Sequence, residues 1–219
     1  MQELASQVSW DDARLALSWI PTIALAISLA ASAGLRAFLP LLIAGVLSRV
    51  GVLELGQSYQ FVGSTPALVC FGIATVLEIA GDKIPAVDHA LDVGGTVVRP
   101  IAGSLLAASV MWQVNEPLWA LVLGVIVGAP TALAPHAAKA ATRGISTSFT
   151  AGLANPVLSI VEDVSAAAIA ILAIVVPTLT ALLLVVVVFL GWRWWRRRAA
   201  RKQAQASAKD ASGEASPTT

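Results

Sequence analysis

Uncharged apolar stretches of bilayer-crossing length recur along most of this chain, and that one feature removes nearly every alternative fold. A hydrocarbon core of about 30 Å takes roughly 20 apolar residues per helix. With 57% hydrophobic and 12% charged residues, the chain carries about half the charge of a typical soluble domain, in which about 25% of residues are charged. A soluble globule, a disordered chain and a coiled coil are excluded. What remains is an all-α polytopic membrane protein.

The first apolar segment, residues 19–48, is too long for one straight crossing and is interrupted by Gly34, Arg36 and Pro40. It reads as one crossing made of two helical pieces, broken around residues 34–40. A polar stretch holding Arg49, Glu54, Gln57, Tyr59 and Gln60 follows. A second span opens near Pro66, which suits a first helical turn, and stays apolar to Leu77. The third is expected over about residues 97–112 and the fourth over 117–138. Residues 156–192 fit one kinked crossing or two joined at Val176-Pro177-Thr178.

Charge bias favours two crossings there, and six in total. Seven of the 14 basic residues lie after position 192, from Arg193 to Lys209, and retained loops carry excess Lys and Arg. Six crossings place both termini, Lys83, Arg99, Lys139 and Arg143 on the cytoplasmic side. Trp19, Trp192, Trp194 and Trp195 then mark the inner interface, and Trp112 and Trp119 the outer one. The expected layout is a polar segment 1–18, a transmembrane domain 19–195 with halves 19–112 and 117–195, and a basic, then disordered, cytoplasmic tail 196–219. Ala31-Ser32-Ala33 resembles a signal-peptide cleavage site. The region before it is net negative, however, so a retained helix is expected. The single cysteine, Cys70, excludes an intramolecular disulfide and reads as a small buried hydrophobe.

An internal echo accompanies this arithmetic. Ala37-Phe38-Leu39-Pro40 matches Ala132-Leu133-Ala134-Pro135, and Thr65-Pro66 matches Asn155-Pro156. Acidic residues follow in both halves, at Glu78 and at Glu162-Asp163. Three crossings per half would orient the halves oppositely, a pattern of secondary transporters with interrupted helices. Chance similarity among Ala/Leu/Pro-rich helices is the alternative.

The apolar region nonetheless holds eleven charges: Arg36, Glu78, Asp82, Lys83, Asp88, Asp92, Arg99, Lys139, Arg143, Glu162 and Asp163, with His89 and His136. Each would cost about 2.5–3.5 kcal/mol at the centre of a lipid-facing helix. The total, roughly 30 kcal/mol, exceeds the ~5–15 kcal/mol that holds a domain folded. These groups must pair, line water or sit at the inner interface. Glu78 and Asp82 share a helix face, as do Asp88 and Asp92. His136, Lys139 and Arg143 form a basic stripe at i, i+3 and i+7. Arg36 has no partner in its own helix and requires a carboxylate such as Glu162, Asp163 or Glu78. A substrate or ion pathway is expected among these residues and Asn155, the alternative being a structural salt-bridge network.

Enzyme motifs are incomplete. Asp88-x-x-x-Asp92 is similar to the end of the CDP-alcohol phosphotransferase motif, without its upstream elements. Lys83 and Arg99-Pro100 are similar to the opening of the lipid phosphatase signature, at too long a spacing. Asp88, His89 and Asp92 could hold a divalent cation, but no metal, cofactor or catalytic residue is assigned.

Several charged blocks in order do resemble a known family: Gly34-Leu35-Arg36-Ala37-Phe38-Leu39-Pro40-Leu41-Leu42, Glu78 with Asp82-Lys83-Ile84-Pro85-Ala86-Val87-Asp88, and Arg99-Pro100-Ile101-Ala102-Gly103. His136-Ala137-Ala138-Lys139-Ala140 with Arg143, and Gly152-Leu153-Ala154-Asn155-Pro156 with Ser159 and Glu162-Asp163, continue the match. The family is domain-of-unknown-function family 4126, and the resemblance covers about residues 20–190. It implies a bacterial inner-membrane protein and supplies no activity. The expected function is a small transporter or permease for an anionic solute or lipid head group, coupled to protons. The alternatives are a non-transporting membrane scaffold and, third, a membrane-embedded lipid-modifying enzyme. The lipid bilayer is the expected partner; no nucleic-acid partner is expected.

Overall fold

The computed structural model describes residues 10–83, 85–150, 153–177 and parts of 179–197; the side chains of residues 10–17, 85–86, 88–90 and 92 lie outside the description. The N-terminal nine residues and the expected disordered tail also lie outside the described residues. The chain divides into two compact units, Met1–Ala181 and Leu182–Thr219. All that follows concerns the first.

The described residues form helices and no strand: α1 (Trp10–Leu35), α2 (Phe38–Arg49), a 3₁₀ helix (Gln57–Gly63), α3 (Thr65–Gly81), α4 (Pro85–Val110), α5 (Pro117–Thr150) and α6 (Asn155–Val175). Four helices are long and apolar enough to cross a membrane, through Ser18–Leu35, Val93–Val110, Pro117–Thr150 and Asn155–Val175. The 3₁₀ helix and α3, bent by 56° at their junction, make a fifth if they act as one span. The expected sixth, over residues 177–192, falls where the described residues are no longer continuous.

The break expected between residues 34 and 40 lies at Arg36-Ala37. Pro40 explains it. A continuous helix would need the Pro40 nitrogen to donate to the Arg36 carbonyl, and proline has no N–H to give. As the third residue of α2, Pro40 sits instead in a first turn, where amides lack intrahelical acceptors anyway. The other end of α2 closes on Gly51, at φ +77°, a left-handed conformation that glycine adopts without a Cβ penalty. Gly51 N donates to Ser48 O at 3.0 Å and Val52 N to Leu47 O at 2.9 Å, which satisfies the last carbonyls.

Two helices run beyond the expected spans. The helix that carries the third span begins at Pro85 and runs through Asp88 and Asp92, while its apolar window, Val93–Val110, lies close to the expected 97–112. The fourth continues to Thr150 rather than 138, unbroken through Pro130 and Pro135. His136, Lys139 and Arg143 stay helical because the stripe is buried, Lys139 and Arg143 against acids and His136 against Arg99 and Thr96. The echo of Pro40 at Pro135 therefore carries no matching helix break. Gly34, three residues before the first motif, lies against the second: a Cβ on it would lie 2.1 Å from the Ala132 carbonyl oxygen. The helix ends at Val175 before Pro177, where the tight connection was expected.

Small residues set the packing. Gly103 and Gly128 face one another across α4 and α5, and Gly124 lies against Ser104 and Ala108, each too close to admit a Cβ without movement. Such close approach is how membrane helices gain van der Waals contact where lipid removes the hydrophobic drive between them. The interior is accordingly rich in alanine (Ala26, Ala30, Ala33, Ala102, Ala107), with Leu29 and Leu106 between. Large side chains point outward, among them Val69, Ile73, Val76 and Leu77 of α3 and Val157, Ile160, Val161 and Val164 of α6. Cys70, expected to be buried, is exposed on that outward side of α3. An apolar run does not fix burial when the surroundings are themselves hydrocarbon.

Candidate functional site

The buried polar side chains gather where α1 breaks. Arg36, in the two-residue gap between α1 and α2, is fully buried. Its guanidinium pairs with Asp82 and with Asp163, and donates to Ser159 Oγ at 2.9 Å. Glu162 lies at the edge of reach, 4.0 Å away. Of the three partners expected for Arg36, Asp163 is in direct contact; Glu78 offers only its backbone carbonyl, at 3.5 Å. The nearest carboxylate is Asp82, one residue beyond the end of α3.

Asp82 Oδ2 is the hub. Besides Arg36 it receives Lys139 Nζ at 3.3 Å and Arg143 Nη2 at 2.9 Å. Glu162 completes the group: Arg143 reaches it through Nε at 3.2 Å and Nη2 at 2.8 Å, and Lys139 approaches to 3.1 Å. Such a two-pronged guanidinium–carboxylate contact fixes geometry as well as charge. The i, i+3, i+7 stripe on α5 thus meets acids from the end of α3 and the second turn of α6.

Glu78 takes a different role. Its carboxylate accepts the backbone N–H of Ala37 at 3.1 Å and of Phe38 at 3.3 Å. It caps the free amides where α2 begins, at the positive end of that helix's dipole. Arg99 lies 3.9 Å from the same carboxylate and contacts His136 Nδ1, while His136 Nε2 meets Thr96 Oγ1 at 3.2 Å. Glu78 and Asp82 share a buried end of α3, as their spacing predicts, yet each has its own positive partner.

The site holds four cations, Arg36, Arg99, Lys139 and Arg143, against four anions, Glu78, Asp82, Glu162 and Asp163. Its net charge is zero with His136 neutral. Over residues 23–197 the chain matches the model of a family described as Domain of unknown function (DUF4126). The chain belongs to this family. No curated protein and no solved structure matches it.

Within this family member, eight of the expected pathway charges and His136 converge. Lys83 is exposed and donates to the Ile79 carbonyl at 3.3 Å. Asn155, at the start of α6, donates instead to Thr147 Oγ1 at 3.3 Å. The side chains of Asp88, His89 and Asp92 lie outside the described residues. Ser159 was not expected in the site. Its signal was present: a hydroxyl three and four residues before two acids on a largely apolar helix. Among the described residues no group of three His, Cys, Asp or Glu side chains converges as a metal site.

Proposed function

We propose that this protein is a small transporter of the bacterial inner membrane, built as six helices in two inverted halves of three. Its substrate is an anionic solute or lipid head group, moved with protons. The observation that carries this reading is the position of Glu78, whose carboxylate occupies the amides of a broken helix beside Arg99. An ionised side chain within a span is retained for function more often than for stability, because its burial is expensive. Protonating Glu78 would weaken its hold on the amides of α2, and an incoming anion would find donors and a positive field already aimed at it. Interrupted helices that present their N-termini to an anion fit alternating access.

One observation favours a second reading, a scaffold with a permanent salt-bridge core. All eight charges have opposite-sign partners within 4.0 Å. A liposome assay separates the two. With an internal pH dye and a panel of anions, wild type should show substrate-linked proton flux, and Glu78→Gln and Glu162→Gln should abolish it while the protein stays folded. If wild type is silent across the panel and both variants only lower thermal stability, the transport reading falls and the scaffold stands.

Orientation is tested separately. With both termini cytoplasmic, as the Arg193–Lys202 basic cluster suggests, a reporter active only in the periplasm and fused after residue 202 should give no signal. A strong signal would remove the six-crossing arrangement.

A further inference from the structure

At the opposite end of α2 from the charged cluster, about 18 Å away for a 12-residue helix, two clefts meet. The first, about 720 Å³, is polar and is lined by Arg49, Glu54, Gln57, Gln60 and Asn115, with Trp112. The second, about 670 Å³, is lined largely by apolar side chains, including Pro21, Leu25, Val52, Val110 and Ile174. Leu53, Glu54 and Trp112 belong to both. Each cleft falls within the roughly 300–1,000 Å³ typical of ligand sites; both are open to the surface, with Arg49, Glu54, Gln57 and Gln60 exposed, and they adjoin along Leu53, Glu54 and Trp112.

The charges of the polar cleft are disposed unlike those of the core. Arg49 donates to Thr65 Oγ1 at 2.7 Å, which engages one of its five N–H groups. Neither Arg49 nor Glu54 stands in an ion pair among the described residues. A cation and an anion thus line one cleft without neutralising each other. A simple anion would meet Glu54 there, and a simple cation would meet Arg49. A ligand with both charges would satisfy both. The adjoining apolar cleft adds a hydrocarbon chain to that description.

We propose that this double cleft binds a phospholipid whose head carries a phosphate and a primary ammonium, of the phosphoethanolamine type. The phosphate pairs with the Arg49 guanidinium, whose planar fork suits it. The ammonium donates to Glu54, the amides of Gln57, Gln60 and Asn115 surround the head, and Trp112 sits at the head–chain junction, where an amphipathic ring is favoured. One acyl chain lies along Leu25, Val52, Val110 and Ile174. The proposal rests on the chain lying in a bilayer and does not require the charged cluster to transport anything.

Native mass spectrometry of the full chain, delipidated in detergent and offered one lipid at a time, tests it. Phosphatidylethanolamine should be retained several-fold more than phosphatidylglycerol, which lacks the ammonium, and phosphatidylcholine, whose quaternary nitrogen has no N–H to donate. Arg49→Gln and Glu54→Gln should each weaken retention about tenfold, the order of one charge-assisted hydrogen bond, with the melting temperature unchanged. Glycerophosphoethanolamine, which has the head without the chains, should fail to displace the lipid at equal concentration. Equal retention of the three lipids, or unaltered retention in both variants, overturns the proposal. Full displacement by the chainless head also overturns it, in favour of a site for soluble zwitterions. None of these readouts depends on flux, so a silent liposome assay leaves this site standing, and the reverse also holds.

Discussion

Replacing Arg36 with leucine should cost about 3–5 kcal/mol, the usual penalty for leaving a buried partner charge uncompensated. Arg36 is fully buried and joins Asp82, Asp163 and Ser159 in one guanidinium. Its removal does not affect these equally. Asp82 keeps Lys139 and Arg143, whereas Arg36 is the ion-pair partner the structure gives Asp163. The double variant Arg36→Leu/Asp163→Asn should therefore recover most of the loss, because it removes one charge of each sign and leaves Asp82 and Glu162 facing Lys139 and Arg143. Arg36→Lys should recover only part, since an ammonium is a point charge that cannot bridge three partners in a plane. Thermal unfolding in detergent reads all three. An Arg36→Leu melting curve that overlays wild type would mean the group is solvated rather than paired.

Gly34→Ala is the second large effect, and its sign reverses at a matched control. A Cβ at Gly34 would lie 2.1 Å from the backbone oxygen of Ala132. That atom cannot rotate aside, so α1 and α5 must separate. Overpacking of this kind costs about 1–3 kcal/mol and occasionally more, and here the separation would also pull Arg36 from its partners. At Gly72, within α3, an added Cβ meets nothing within 4 Å. Gly72→Ala should be neutral or stabilising by up to about 1 kcal/mol, the gain of alanine over glycine inside a helix. Equal melting temperatures for the two variants would show that the α1–α5 crossing is not the close contact described.

Much of this was legible from residue types alone, and the failures share a cause. The break near Arg36 could be read because Pro40 acts locally, through a missing N–H. The His136–Lys139–Arg143 stripe could be read because helical spacing places those residues on one face whatever surrounds them. Asp82 was missing from the partners expected for Arg36, which were Glu162, Asp163 and Glu78, because its reach depends on where α3 ends against the α1–α2 break, which tertiary packing decides. The end of α5, expected at 138 and found at Thr150, differs for a related reason. Charged residues normally mark the edge of a span, but here Lys139 and Arg143 remain inside a helix because acids from two other elements meet them. Spacing places Glu78 on one helix face with Asp82 and says nothing more of its role. Its attachment to the Ala37 and Phe38 amides depends on α3 lying against the start of α2, and no spacing rule contains that.

The balanced cluster also has a history within each synthesis of the chain. Until α6 is made, the site holds Arg36, Arg99, Lys139 and Arg143 against only Glu78 and Asp82, an excess of two positive charges. Glu162 and Asp163 arrive last among these residues and bring the sum to zero. Glu162 follows Arg143 by 19 residues, about 1–4 s of elongation at roughly 5–20 residues per second. Over that interval the sum of these side chains is positive, a balance that is costly in a hydrocarbon setting. On this sum α6 is the element whose arrival brings the buried cluster to neutrality.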